Sequence, residues 1–146
     1  MAAPTRALLG FAAAVISVLT FHQAMWALLH IAGIMPPAAY PTAPTAPFGV
    51  PLIASLCFWG GLYGLVFGLA LPSLPRRVAM WLLGLGLGLL AAVVGWFVVA
   101  PLKGQPAAGG FVPLRMLVSV LINGFWGVGV AVILQLLMNR RSPVRA

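Results

Sequence analysis

The chain contains no aspartate and no glutamate among its 146 residues, whereas it carries eight lysine or arginine residues. Side-chain carboxylates serve as general bases, nucleophiles, proton carriers and ligands for hard cations, so their absence excludes much of catalytic chemistry and metal sites built from carboxylate side chains. Only 5% of the residues are charged and the mean hydropathy is +1.14, too apolar for the surface of a soluble domain. These values indicate an integral membrane protein.

Four apolar segments are long enough to cross a bilayer, because a hydrocarbon core of about 30 Å requires about 20 apolar residues in a helix. Prolines flank these segments at places where a helix ends or where a first turn tolerates a missing amide hydrogen. The sequence therefore predicts a single all-α domain over residues 1–146, a polytopic four-helix transmembrane bundle with short loops. The predicted helices span 7–34, 50–71, 78–100 and 114–138.

The distribution of the cations predicts the orientation of the bundle. One end carries Arg6, the pair at 76–77 and the tail arginines at 140, 141 and 145, whereas the other end carries only Lys103 and Arg115. Lysine and arginine favour the cytoplasmic side, which predicts cytoplasmic termini in a bacterial inner membrane. The loop over 36–49 contains five prolines and no charge, which predicts a short polyproline-like connector.

Glycines recur at four-residue spacing in helices 2 and 3, which lets two helix backbones approach closely. The short connector between these helices predicts a tight antiparallel hairpin packed through the stripes. The stripes hold either one bundle together or an oligomer interface. Trp59 and Trp126 lie too deep for the membrane interface and are predicted to fill the bundle core. The packing glycines are Gly60, Gly64, Gly68, Gly84 and Gly88.

A polar layer is predicted at one depth of the bundle, formed by His22, Gln23, Ser55 and Asn123. Two interpretations remain open for this layer. The first is interhelical hydrogen bonding, which contributes about 0.6 kcal/mol per contact, and the second is a ligand or proton site. His22 is the one mid-span group that titrates near neutral pH, so a proton-coupled mechanism would rest on it.

No cofactor, metal or catalytic residue is predicted. His22 and His30 are eight residues apart, which on a helix separates them by about 80° and about 12 Å, too far to bind one iron. Cys57 stands alone in an apolar run, and no Cys–His–acid constellation can be completed in a chain without an acidic residue. Nucleic-acid binding is also excluded, because the cations are scattered at helix ends without a basic face.

Lys103, Arg115 and His30 are predicted to lie on the outer face as contacts for anions or lipids. Since no side-chain carboxylate exists to neutralise the two cations, anionic lipid headgroups, solvent anions, a bound ligand or a partner protein must do so. The expected partners are accordingly the bilayer, anionic headgroups and either another membrane protein or further copies of the chain.

Three functions fit this pattern. The leading expectation is a non-enzymatic scaffold or accessory subunit of a membrane assembly. The second is a small oligomeric channel or carrier for a neutral or anionic solute, using the polar layer and the Lys103 and Arg115 entrance. The third is a membrane enzyme acting on a lipid or quinone-like substrate, which the shortage of acid–base groups disfavours.

Overall fold

The computed structural model describes residues 1–140. Within this range it has four helices long and apolar enough to cross a membrane, so the predicted all-α bundle of a multi-pass membrane protein is confirmed. The first helix begins before residue 7 because Pro4 is accommodated in its first turn. The helices are α1 (Ala3–Ile31), α2 (Leu52–Ser73), α3 (Met80–Leu102) and α4 (Pro113–Asn139).

The helices are arranged side by side in the order α2, α1, α4, α3. α1 packs against both α2 and α4, and α3 packs against α4, whereas α2 and α3 barely touch. Burial reflects this order, because 44% of the most apolar window is buried in α1 and in α4 but only 22% in α2 and in α3. The predicted hairpin of α2 packed on α3 is therefore wrong: α1 and α4 separate the two glycine-rich helices.

The glycine stripe of α2 packs against α1. Gly64 lies against Gly10 and Ala14, and a side chain added at Gly64 would overlap the Gly10 carbonyl oxygen. One turn further along, Gly68 lies against the backbone of Arg6. The absence of side chains at these crossings lets the two backbones come into van der Waals contact.

The glycine stripe of α3 packs against α4 in the same manner. Gly84 lies against Gly127 and Ala131, and Gly88 lies against the backbone of Asn123. The sequence spacing thus indicated close helix packing but not the partner of each helix. A bare stripe is compatible with any neighbour that offers small residues, and all four helices do so.

The central contact joins α1 to α4. The Ser17 hydroxyl donates a hydrogen bond of 2.7 Å to the carbonyl oxygen of Trp126, and the Trp126 indole N–H donates one of 3.2 Å to the carbonyl oxygen of Ala14. Trp126 is only 3% exposed, which confirms its predicted place in the core. Trp59 is 60% exposed, so that prediction is wrong: α2 lies at an edge and buries only the face that carries its glycines and Phe67.

The connectors define the two ends of the bundle. We call the end with Ala3, residues 74–79 and Asn139 the terminal end, and the end with residues 32–51 and 103–112 the loop end. The loop over 32–51 holds a small hairpin, in which β1 (Pro44–Thr45) pairs antiparallel with β2 (Val50–Pro51). The predicted polyproline connector is wrong there, because Gly49 adopts a positive φ that permits the turn between the two strands.

Replacing Gly64 by leucine should destabilise the bundle, because the new side chain would meet the backbone of α1. Overpacking of this kind costs about 1–3 kcal/mol. Gly86→Leu is the matched control, since nothing lies within 4 Å of a Cβ atom added at Gly86. Thermal unfolding in mild detergent should show a lower Tm for Gly64→Leu alone, and equal Tm values for the two variants would contradict the packing of α2 on α1.

Candidate functional site

Two groups of polar side chains lie within the membrane-spanning region, and each adjoins a π-helical segment. In α1 this segment is Val18–His22, and in α3 it is Gly95–Val99. π-Helical turns are rare, and they occur frequently at functional sites because the widened turn changes which side chains point together. The two groups are the α1 cluster, formed by His22, Gln23 and Tyr40, and the α3–α4 cleft described below.

Gln23 is the centre of the α1 cluster and is only 1% exposed. Its Nε2 donates to Nδ1 of His22 at 3.1 Å, and its Oε1 accepts from the backbone N–H of Tyr40 at 2.6 Å. Because the amide nitrogen of Gln23 can only donate, Nδ1 of His22 is the acceptor and the ring hydrogen is on Nε2. Both polar ends of the buried Gln23 side chain therefore have partners.

Tyr40 brings the loop over 32–51 down along α1. Its hydroxyl donates to the carbonyl oxygen of Leu19, within the π segment, at 2.8 Å. Gln23 is eight residues from the end of α1 at Ile31, so the loop descends by about 12 Å from that end. Trp26 donates from Nε1 to Pro37 O at 2.9 Å and fixes the same loop nearer the surface.

The second group lines a cleft of about 510 Å³ between α3 and α4 at the loop end. α4 contributes Arg115, Ser119 and Asn123, which are four residues apart and so lie on one face of the helix. α3 contributes mostly small residues opposite this face. The full lining consists of Ala91, Ala92, Gly95, Trp96, Ala100, Gln105, Pro106, Gly109, Arg115, Ser119 and Asn123.

Hydrogen bonds fix the polar side chains of the cleft. Trp96 donates from Nε1 to the Ser119 hydroxyl at 3.1 Å, and Asn123 donates from Nδ2 to the Ser119 carbonyl oxygen at 2.9 Å. At the mouth, Arg115 donates from Nη1 to Gly109 O at 3.3 Å, and its aliphatic stem packs on Gly109. Within residues 1–140, neither the hydroxyl hydrogen of Ser119 nor Oδ1 of Asn123 has a hydrogen-bond partner.

The four residues of the predicted polar layer are distributed over three places. The structure brings His22 and Gln23 together in α1 and puts Asn123 in the cleft. Ser55 is half-buried in the first turns of α2 and makes no side-chain hydrogen bond within residues 1–140. No hydrogen bond joins His22 to Asn123 in this part of the chain. The two residues lie at a similar depth, but they belong to separate groups of polar side chains.

Of the three predicted outer-face residues, Arg115 alone lines the cleft. His30 donates from Nδ1 to Met35 O at 2.9 Å and so stabilises the turn that follows α1. Lys103 is exposed just beyond the end of α3. The sequence prediction missed Ser119 and Trp96, although the four-residue spacing of Arg115, Ser119 and Asn123 was a signal for a polar face.

Comparisons with protein-family models, curated proteins and solved structures found no match to this chain. The two polar groups differ in their chemistry. The buried polar atoms of Gln23 are occupied in holding a loop, which is a structural role. The cleft has a cation at its mouth, unpartnered polar atoms inside and open volume, which are the features of a ligand site.

Replacing Gln23 by methionine should loosen the loop over 32–51, because the Tyr40 N–H loses its acceptor. A net loss of about 0.5–1.5 kcal/mol corresponds to roughly 2- to 10-fold faster hydrogen exchange at that amide. Thr20→Val is the control, since Thr20 donates only to Ile16 O within its own helix. Exchange measured by mass spectrometry or NMR should accelerate at Tyr40 in Gln23→Met alone, and unchanged exchange there would rule out the anchoring role of Gln23.

Proposed function

We propose that this chain is a small non-enzymatic scaffold or accessory subunit of a membrane assembly. The absence of side-chain carboxylates supports a role outside acid–base catalysis. The hydrogen bonding of the α1 cluster also supports a non-enzymatic role, because the His22 imidazole bonds to Gln23, whose side chain holds the loop over 32–51. The position of the edge helices is the observation that carries the proposal.

α2 and α3 lie at the two edges of the bundle and leave most of their surface uncovered. Phe58 and Trp59 project from α2, and Trp81 and Phe97 project from α3. Lipid chains are as apolar as these side chains, so association with another membrane helix depends on complementary shape rather than on the hydrophobic effect. Rigid aromatic side chains on an uncovered helix supply such a shape, and they favour a partner helix at one edge.

The cations support an orientation with the terminal end in the cytoplasm of a bacterial cell. Arg6, the arginines at 76–77 and Arg140 belong to that end, whereas Lys103 and Arg115 belong to the loop end. The remaining tail arginines, at 141 and 145, lie outside the described residues. This asymmetry is the pattern that sets the topology of inner-membrane proteins.

A channel or carrier for a neutral or anionic solute is the second candidate, and the α3–α4 cleft favours it. The cleft begins at Arg115 and descends to Asn123. Just below, Gly88 packs directly on the backbone of Asn123 and Gly124. A solute would therefore need either an opening of this crossing or a path between several copies of the chain.

Cysteine labelling in a Cys57→Ser background tests the orientation. Ser73→Cys at the terminal end should react only after the membrane is permeabilised, whereas Thr42→Cys at the loop end should react with an impermeant maleimide in intact cells. Ala107→Cys gives a second loop-end position. Ser142→Cys, outside the described residues, should behave like Ser73→Cys. Partial labelling of every position in intact cells would show dual topology and contradict the fixed orientation.

Purification in mild detergent, followed by mass spectrometry of all retained proteins, tests the accessory role. We expect one membrane protein to be retained at fixed stoichiometry. Because a partner helix covers one edge, only one of the two single variants, Trp59→Ala or Phe97→Ala, should lose this protein. Each variant serves as the control for the other, and an unchanged Tm confirms folding. Homo-oligomers that move solute in liposomes, with no other protein retained, would replace this proposal by the carrier.

A further inference from the structure

Three polar side chains of α4 line the α3–α4 cleft at successive depths from its mouth to its floor. Arg115 lies at the mouth, Ser119 lies one turn deeper and Asn123 lies two turns deeper. At 1.5 Å per residue these steps are about 6 Å and about 12 Å along the helix axis. A positive charge, then a hydroxyl group and then an amide therefore follow each other into the membrane-spanning region.

We propose that this cleft binds an anionic phospholipid. The phosphate would contact Arg115, the glycerol and ester groups would lie at the level of Ser119, and the acyl chains would leave across α3 into the bilayer. This binding site is independent of the accessory role proposed above, since it lies between α3 and α4 and uses neither Trp59 nor Phe97.

The charge at the mouth is available to an anion from outside the chain. No side-chain carboxylate exists in the sequence, and within residues 1–140 the guanidinium of Arg115 has only the 3.3 Å contact with Gly109 O. A guanidinium offers five N–H donors in a planar fork that suits a phosphate oxygen pair. The packing of the Arg115 stem on Gly109 holds this fork near the mouth of the cleft.

The interior of the cleft fits the linker region of a lipid better than it fits a small soluble anion. Ester carbonyls accept hydrogen bonds, and the Ser119 hydroxyl has a hydrogen to donate. The opposite wall is recessed at Gly95, which lines the cleft and where nothing lies within 4 Å of an added Cβ atom. The volume of about 510 Å³ is within the range of ligand sites, about 300–1,000 Å³.

A matched pair of charge variants tests the headgroup contact. Arg115→Gln and Lys103→Gln each remove one positive charge from the loop end, but only Arg115 lines the cleft. Native mass spectrometry of the full chain in detergent, titrated with phosphatidylglycerol, measures the affinity. We expect Arg115→Gln to weaken binding by roughly tenfold or more, as for a lost charge-assisted hydrogen bond. Lys103→Gln should change the affinity by less than about twofold.

A second pair tests the shape of the cleft. Gly95→Leu fills the recess opposite Ser119, whereas Gly86→Leu adds the same side chain to an open part of the same helix outside the cleft. Gly95→Leu should abolish phosphatidylglycerol binding and Gly86→Leu should retain it, with similar Tm values for both. Two Leu variants that bind equally well would overturn the proposal.

Two further titrations separate the headgroup from the whole lipid. Zwitterionic phosphatidylcholine should bind more weakly than phosphatidylglycerol, and inorganic phosphate at millimolar concentration should not displace the lipid. Equal binding of the two lipids would show that the cleft does not select an anion. Displacement by inorganic phosphate would show that a soluble anion, not a phospholipid, is the ligand. Either result would overturn the proposal, as would equal losses in Arg115→Gln and Lys103→Gln.

Discussion

The contact between α1 and α4 is the interaction on which the rest of the structure depends. Inside a membrane no water satisfies a polar group, so the Ser17 hydroxyl and the Trp126 indole each donate to a main-chain carbonyl oxygen of the neighbouring helix. This pair of hydrogen bonds fixes the register of the two central helices. α2 then packs on α1 and α3 packs on α4 through separate glycine crossings, so the edge helices are positioned only through the central pair.

The two glycine crossings also determine where ligands can bind. α3 and α4 touch through their backbones at Gly88 and Asn123, and above this point the π segment of α3 and the small residues Ala91 and Gly95 leave space between the helices. On the other side of the bundle, the Tyr40 side chain bonds to the π segment of α1 and the loop packs along that helix. A π segment therefore adjoins a filled structural cluster at α1 and an open cleft between α3 and α4.

The sequence predicted the properties that depend on one helix at a time. Long apolar runs and flanking prolines were sufficient for the four spans, and glycine spacing was sufficient for close packing. Neighbour identity was not predictable: Trp59 and Trp126 share the same Phe-Trp-Gly context, yet α2 is an edge helix and α4 is central, so one is exposed and the other buried. Depth likewise placed His22 and Asn123 together, but only the tertiary arrangement determined that Asn123 faces α3 in the cleft while His22 bonds to Gln23 within α1.

Cross-linking of cysteine pairs by a short bifunctional thiol reagent, in a Cys57→Ala background, tests this arrangement most directly. The pairs avoid the tight glycine crossings, where an added side chain would overlap backbone. The account predicts efficient cross-links for Phe11→Cys with Gly61→Cys, between α1 and α2, and for Trp96→Cys with Ser119→Cys, between α3 and α4. Cross-linking of Gly61→Cys with Trp96→Cys within one chain, in place of these two pairs, would contradict it, because α2 and α3 would then be neighbours.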